Sequence, residues 1–200
     1  MKILIACEES GTVREAFAKL GHDAWSCDIL PSRIPGQHYQ GDVLDIIQED
    51  WNMLIAHPPC TRLANSGVRW LSERNLWDEM QEGAFFFAKM LNLNPHIKHR
   101  AVENPIPHKY ALEIIGRKYD QIIQPWQFGH GETKATCLWL EGLPRLQPTD
   151  IVDGREQRLH KLPPGPERAK ERSKTFQGIA DAMAAQWGDL STMSRKHPAW

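Results

Sequence analysis

The residues with the clearest chemical potential are a cysteine and a glutamate, each of which follows a short apolar segment. Cys60 comes after Pro58-Pro59 at the end of the apolar run 51–56, and Glu103 comes directly after residues 100–102. A thiolate can attack an electron-poor ring, and a neighbouring carboxylic acid can neutralise the charge that the addition creates. The pair therefore predicts a covalent addition with Cys60 as nucleophile and Glu103 as acid.

Both residues also have a simpler interpretation. A lone cysteine is most often a small buried apolar residue, and Glu103, close to Pro105, is also compatible with a helix-start or turn carboxylate. Two prolines before Cys60 favour the catalytic interpretation, because they impose an irregular turn after the strand rather than a packed interior position.

The elements that must position these residues alternate between short apolar runs and longer helical patterns, which is typical of an α/β fold. Strands are predicted at 2–7, 23–27, 51–56 and 100–102, and a further short unit starts at 41–43. A final hairpin is predicted from 120–125 and 136–140. Helices are predicted at 12–20, 73–91 and 174–187, and 29–40 is predicted to be a loop. In a parallel sheet the strands' carboxyl ends share one edge, so Cys60 and Glu103 are expected to meet there.

Composition indicates one domain that spans residues 1–200. The chain has 200 residues, of which 41% are apolar, and this is enough for one sizeable core. Its formal charge of −1 gives no global attraction to nucleic acid. Four cysteines without a Cys-x-x-Cys pair, and no apolar leader, predict a cytoplasmic protein, and no apolar run is long enough to predict a membrane span. The nine histidines show no metal-site spacing, so no metal is expected.

The segment 142–172 is predicted to be an irregular, proline-rich and basic insertion on the surface before the closing helix. It contains six basic residues that are candidates for contact with phosphate groups, although such a run is usually only a solvated face. These residues are Arg155, Arg158, Lys161, Arg168, Lys170 and Arg172.

The order of these landmarks resembles that of the DNA cytosine carbon-5 methyltransferases, in which a Pro-Cys motif precedes a Glu-Asn motif. The likeness is greatest to compact members from phages and prophages. It implies a Rossmann-like class I methyltransferase fold, with a mostly parallel seven-stranded sheet that ends in an antiparallel hairpin and has helices on both faces. It also implies S-adenosylmethionine as cofactor and methyl transfer to carbon-5 of a cytosine through Cys60.

The turn after the first strand is the candidate cofactor site. A turn with free amides at a helix start can hold an anionic group, and an acid that ends the second strand, here Asp28, can accept hydrogen bonds from ribose hydroxyls. The resemblance makes Gly11 the last glycine of the cofactor loop and places Asp42 near the adenine amino group. It also assigns cofactor contacts to Glu8 and Ser10, which stand where the family has glycine, and to Pro58.

Substrate contacts are implied at Pro59, at Asn104, and at Arg62 and Ser66 in a segment that closes over an extruded base. Lys134 stands near the position of a family arginine that steadies the glutamate. The insertion is too short for an independent recognition domain. We therefore expect relaxed specificity on DNA, action on single strands or a cytosine nucleotide, or recognition borrowed from a partner or a second subunit.

Two other functions remain open. The sequence 57–60 also resembles the motif of amino methyltransferases, Asp/Asn-Pro-Pro-aromatic, but His57 replaces the acid or amide and Cys60 replaces the aromatic residue. An exocyclic amine needs an acceptor and a stacking ring rather than a thiol. A catalytically inactive nucleotide-binding module is the second alternative, and the presence of both Cys60 and Glu103 argues against it.

Overall fold

The computed structural model describes residues 1–163 and 165–189 and contains one seven-stranded sheet. Its strands are β1 Lys2–Ala6, β2 Asp23–Asp28, β3 His38–Gln40, β4 Met53–Ala56, β5 His99–Pro105, β6 Gln121–Ile123 and β7 Thr136–Glu141. They lie in the order β3-β2-β1-β4-β5-β7-β6. Strands β1 to β5 pair in parallel, and β7 is antiparallel to both β5 and β6. This is the Rossmann-like class I methyltransferase arrangement, so the predicted fold class is confirmed.

Helices cover both faces of the sheet. They are α1 Thr12–Lys19, α2 Arg69–Glu73, α3 Trp77–Asn92, α4 Lys109–Ile115, α5 Arg158–Lys161, α6 Pro166–Ser173 and α7 Gln177–Trp187. Alternate residues of a strand point to opposite faces. Accordingly, Ile3 and Ile5 of β1 are buried in a cluster with α1 and α7, whereas Leu4 and Ala6 are buried in a second cluster with α2, α3 and α4.

The register of the central strands determines which side chains lie next to one another at the carboxyl edge of the sheet. Ala6 of β1 is paired with Cys27 of β2 and with Ala56 of β4, and Ala56 is paired in turn with Val102 of β5. The next residue along each of these four strands is therefore Cys7, Asp28, His57 or Glu103. These four side chains begin side by side at the carboxyl edge of the sheet, where open α/β sheets bind ligands.

Two predicted elements differ from the structure on the amino-terminal side. The third strand is His38–Gln40 and lies inside the predicted loop 29–40, because its pairing with β2 rather than an apolar pattern defines it. The predicted helix 73–91 corresponds to α3, which begins only at Trp77; Glu73 ends the separate helix α2, and Asn75, with φ 50, lies between the two. Within α3, Phe85 is 57% exposed, whereas Phe87 is fully buried.

The carboxyl-terminal part also differs from the prediction. The segment 142–172 contains α5 and most of α6, and is not wholly irregular; α6 begins at Pro166, a residue type favoured in the first turn of a helix. The closing helix begins at Gln177 rather than at 174. Lys174 is extended, with ψ 131, and Phe176 is the N-cap residue. Helix α4 had no counterpart in the prediction. Within residues 1–163 and 165–189, no helix combines the length and the apolar character needed to cross a membrane.

Candidate active site

A cavity of about 620 Å³ opens at the carboxyl edge of β1, β2, β4 and β5. Its size lies within the range of small-molecule sites. The wall combines the turn after β1, the ends of β2 and β4, and part of the chain between α6 and α7. The lining residues are Cys7, Glu8, Glu9, Ser10, Asp28, Leu30, His57, Pro58, Pro59, Cys60, Thr61, Glu103, Pro105, Lys134, Arg172, Ser173, Lys174 and Thr175. The structure thus brings Cys60 and Glu103 into one cavity, as the topology required.

Cys60 lies just past β4 and is half-buried. Burial is the largest cause that raises the pKa of its thiol, and the negative charge of Glu103 raises it further. Lys134 and Arg172 lower this pKa without offsetting the other two effects. The thiol form of Cys60 is therefore favoured while Glu103 carries its charge.

Glu103 is held by a histidine from the neighbouring strand. The Nδ1 atom of His57 lies 3.1 Å from Oε2 of Glu103, and the two side chains are 8% and 14% exposed. Burial alone would raise the pKa of Glu103, but the hydrogen bond with His57 and the charge of Lys134 outweigh it, so the pKa lies below its usual value. In the resting site Glu103 is a carboxylate and Cys60 is a thiol.

The turn after β1 is organised by its own side chains. The carboxylate of Glu8 accepts hydrogen bonds from the amides of Val13, at 2.6 Å, and Arg14, at 3.2 Å, and the Ser10 hydroxyl accepts one from the amide of Thr12, at 3.2 Å. The first amides of α1 are consequently occupied. The expectation that they are free to hold an anionic group is wrong, because the buried Glu8 side chain already satisfies them.

Asp28 is the predicted cofactor acid that does reach the cavity. Burial raises the pKa of its carboxyl group, and hydrogen bonds from the amides of Leu30 and Ile29 act in the opposite direction. The amide of Leu30 donates to Oδ1 of Asp28 at 2.9 Å. This bond fixes the carboxyl group at the end of β2, beside the turn after β1.

Five other predicted site residues lie outside the cavity wall. Gly11 caps α1 with φ 70, and a Cβ atom there would lie 2.6 Å from Ile34 Cγ1. Asp42 accepts a hydrogen bond from the amide of Leu44, Arg62 pairs with Glu79 at 2.7 Å, and Ser66 lies in a 3-10 turn. Asn104 is buried and its Nδ2 donates to the carbonyl oxygen of Pro58 at 3.3 Å.

Two parts of the site were not predicted. His57 was interpreted only as a departure from the amino-methyltransferase motif, although its place one residue past β4 and the register to Glu103 could have identified it. Residues 172–175 also line the cavity, although only Arg172 was considered, as a candidate for contact with phosphate; Lys134 Nζ donates to the carbonyl oxygen of Lys174 at 3.4 Å. No sequence pattern signals that contact.

Charge is unevenly distributed around the cavity. Glu8, Glu9 and Asp28 come from the first turn and β2, whereas Lys134, Arg172 and Lys174 come from the opposite end of the chain. Among the side chains that the structure describes, no group of three or more His, Cys, Asp or Glu residues is arranged to hold a metal ion.

Comparison with known proteins finds similarity among solved structures only. No protein-family model matches the sequence, and a search of curated proteins finds no relative. Among solved structures the chain is similar to the Entamoeba histolytica methyltransferase EhMeth, with 16% identity and a TM-score of 0.47. The match covers 78% of this chain and 56% of the EhMeth chain, so this chain corresponds to little more than half of that protein.

Proposed function

We propose that this protein is an S-adenosylmethionine-dependent methyltransferase that modifies carbon-5 of cytosine through covalent addition of Cys60. One observation carries the proposal. A cysteine and a glutamate from the ends of neighbouring parallel strands share one cavity, in a sheet with the class I methyltransferase strand order. That pairing of nucleophile and acid is what addition to a pyrimidine ring requires.

The cavity suits the proposed cofactor in part. Its volume of about 620 Å³ accommodates a nucleoside-sized ligand, and the half-buried Asp28 would accept hydrogen bonds from ribose hydroxyls. Leu30 would supply an apolar contact, and the turn Cys7–Ser10 would border the methionine portion. Because Glu8 occupies the first amides of α1, the cofactor carboxylate would need another partner. S-adenosylmethionine supplies an electrophilic methyl group when bound.

The chain's own residues account for the activation of the base. The Cys60 sulfur forms a bond to carbon-6, and the displaced electron pair moves to ring nitrogen-3, which takes a proton from Glu103. Carbon-5 then becomes nucleophilic. After methylation the carbon-5 proton passes to water, its electron pair re-forms the double bond between carbon-5 and carbon-6, the sulfur–carbon bond breaks to leave Cys60 as a thiolate, and nitrogen-3 returns its proton to Glu103. A thiolate suits this role because it is a strong nucleophile and a good leaving group.

The proton that Glu103 needs for this step can come from Cys60 itself. The site starts with a thiol at Cys60 and a carboxylate at Glu103, so Cys60 carries the proton that Glu103 needs in order to act as the acid. Transfer of that proton from Cys60 to Glu103 creates both the nucleophile and the acid. Transfer also removes the charge of Glu103, which is one of the causes that hold the thiol pKa high.

The substrate that this site would accept is a cytosine in DNA or a cytosine nucleotide. Lys134 and Arg172 are close enough to lower the pKa of Cys60, and Lys174 lines the same cavity. These cations would balance a phosphate group next to the reacting base. An unpaired base fits best, because the segment 142–172 is too short for an independent recognition domain and because an unpaired base is cheaper to extrude.

The amino-methyltransferase alternative receives less support from the geometry. Its motif would place a hydrogen-bond acceptor at position 57 and a stacking ring at position 60. Here His57 is directed to Glu103 and Cys60 is a thiol. Neither residue supplies what an exocyclic amine requires.

Identification of the methylated base tests the proposal. Purified protein would be incubated with labelled S-adenosylmethionine and with duplex DNA, single-stranded DNA, RNA or deoxycytidine nucleotides, and the products digested and analysed as nucleosides by mass spectrometry. We expect 5-methylcytosine from the wild type and none from Cys60→Ser. A Cys137→Ser variant is the matched control, because Cys137 is a buried residue of β7 outside the cavity. N4-methylcytosine or N6-methyladenine as product would overturn the proposal in favour of the amino type.

A further inference from the structure

His57 is a buried neighbour of Glu103 whose position follows from the register between β4 and β5. It continues β4 just as Glu103 follows Val102 in β5, and Ala56 is paired with Val102. The amide of His57 also donates to the carbonyl oxygen of Ala6 at 2.9 Å, so its backbone is tied to β1. The imidazole is therefore fixed from two sides before any ligand binds.

The hydrogen-bond pattern assigns the tautomer of His57. Nδ1 lies 3.1 Å from Oε2 of Glu103, whereas Nε2 is buried and has no partner among residues 1–163 and 165–189. A proton on Nε2 would be a buried donor without an acceptor, which is unfavourable. A proton on Nδ1 is satisfied by the carboxylate. The ring consequently donates to Glu103 and cannot accept a hydrogen bond from it.

This direction of donation restricts Glu103 when it becomes protonated. The two oxygens of a neutral carboxylic acid differ, since one accepts hydrogen bonds and the other donates. Because Nδ1–H of His57 is directed at Oε2, that oxygen must remain the acceptor and the proton must lie on Oε1. Without His57, Oε2 would lose this donor, and the hydrogen bond would no longer restrict the proton to Oε1.

With its proton on Oε1, Glu103 can form hydrogen bonds with the edge of cytosine but not with the edge of uracil. Cytosine presents the acceptor nitrogen-3 beside a donor amine, whereas uracil presents a donor nitrogen-3 beside an acceptor oxygen. An acid that donates from Oε1 and accepts at Oε2 pairs with the cytosine edge, and uracil needs the reverse arrangement.

We propose that His57 is a positioning residue that fixes which oxygen of Glu103 carries the proton, and thereby makes the site select cytosine over uracil. This inference rests on the proposed function, because it presumes that Glu103 meets a pyrimidine ring. The direction of the hydrogen bond between His57 and Glu103 does not depend on a substrate, so this part of the inference is tested in the free protein.

The first measurement is the tautomer of His57 in the free protein. Histidine labelled with nitrogen-15 distinguishes Nδ1–H from Nε2–H by the shifts of the two ring nitrogens, and the His57 signals are assigned with His57→Asn. We expect the Nδ1–H form, and Glu103→Gln should retain it because the glutamine carbonyl oxygen can still accept. An Nε2–H form in the wild type would overturn the inference, whether or not the protein transfers methyl groups.

The second measurement is the ratio of covalent adduct formation with 5-fluorodeoxycytidine and 5-fluorodeoxyuridine oligonucleotides. We expect the wild type to favour cytosine by roughly a hundredfold or more, because a site built around specific hydrogen bonds rejects an analogue that cannot make them. His57→Phe should lower this ratio by about tenfold or more. His57→Asn, whose amide can still donate to Glu103, should keep most of it.

The ratio separates positioning from a merely structural role. If His57 only supported the fold, substitution would slow both substrates together and leave the ratio unchanged, and that result would overturn the inference. If the wild type forms no adduct with either base, the proposed function fails, while the tautomer measurement still decides the hydrogen bond between His57 and Glu103.

Discussion

Cys60 and Glu103 influence each other's protonation, and this coupling can be measured without a substrate. The charge of Glu103 raises the pKa of the Cys60 thiol, and Lys134 lowers it. A thiol reacts with alkylating reagents as its thiolate, so the alkylation rate rises with pH through the pKa.

We expect Cys60 of the wild type to be alkylated by iodoacetamide only as the pH rises above the usual thiol range. Glu103→Gln removes a negative charge and should move the midpoint to lower pH, whereas Lys134→Met removes a cation and should move it to higher pH. The measurement is the alkylated fraction of the Cys60 peptide by mass spectrometry. Cys7, which lines the same cavity with its pKa raised to about 12, is the internal control and should stay unreactive. A midpoint that Glu103→Gln leaves unchanged would contradict the coupling.

At the scale of residues, the sequence was sufficient to predict that Cys60 and Glu103 meet, but it did not predict the residues that contact them. Cys60 and Glu103 follow strongly apolar runs, so their place at the sheet edge could be predicted. The contact between Glu103 and His57 depends on the register between β4 and β5. A slip of one residue in this register would change every contact between the two strands. Arg172 and Lys174 approach the cavity through a contact between distant segments, which no local pattern encodes.

At the scale of elements, the turn after β1 was predicted to contact the cofactor, but its Glu8 side chain instead occupies amides of α1. Glu8 stands where the resembling enzymes have glycine, and it caps α1 with two hydrogen bonds. The position that was predicted to contact a cofactor therefore stabilises the helix as well.

Glu8→Ala should destabilise the protein by about 0.5–2 kcal/mol, which is the usual effect of losing an N-terminal cap. Glu8→Gln keeps an acceptor and should cost less. The measurement is the free energy of unfolding from urea titration monitored by circular dichroism. The matched control is Glu82→Ala on the exposed side of α3, which should change stability by no more than about 0.5 kcal/mol. Equal effects of Glu8→Ala and Glu82→Ala would contradict the capping role.

The strands and helices were predictable where periodicity is strong. Helix α7 was found because Ile179, Met183 and Trp187 repeat at helical spacing, and all three are buried. Strand β3 has no such pattern, since His38–Gln40 is an edge strand defined only by its pairing with β2. Helix α6 is strongly charged and has few apolar residues, so composition alone indicated a loop.

At the scale of the whole molecule, the chain between α6 and α7 completes a cavity that starts at β1. Its position depends on the beginning of α7, where the amide of Gly178 donates to Nε2 of His130 at 3.0 Å. A Cβ atom at Gly178 would lie 1.9 Å from the carbonyl oxygen of Phe128. This approach is too close for any other residue without a shift of the helix.

Gly178→Ala should therefore destabilise the protein by about 1–3 kcal/mol and weaken binding of S-adenosylmethionine, because residues 172–175 would move with α7. Gly83→Ala in α3 is the matched control. Its Cβ would lie 3.6 Å from Leu63 Cδ2, an ordinary contact, and the change should stabilise the helix by about 0.5–1 kcal/mol. Thermal unfolding and isothermal titration calorimetry check both variants. A Gly178→Ala protein as stable as the wild type would refute this account of α7.

Substrate preference also belongs to the whole molecule. The formal charge of −1 supplies no general attraction to DNA, and base readout in a groove requires an element that fits it. We expect transfer to single-stranded DNA or deoxycytidine nucleotides to exceed transfer to duplex DNA, with little sequence preference in any modified duplex. Initial rates on matched substrates, followed by sequencing, measure this. Stringent methylation of one long duplex motif by the isolated monomer would contradict it.

The most direct test of the central claim is whether Cys60 forms a covalent bond with cytosine. A substrate with 5-fluorocytosine has no carbon-5 proton to lose, so the adduct cannot resolve. In the presence of S-adenosylmethionine, we predict a complex that survives denaturing electrophoresis, with mass spectrometry placing the modified base on the Cys60 peptide. Cys60→Ser should form no complex, and Cys137→Ser should form it normally. A complex that persists in Cys60→Ser, or methyl transfer to natural cytosine without any trapped complex on the fluorinated substrate, would contradict covalent catalysis by Cys60.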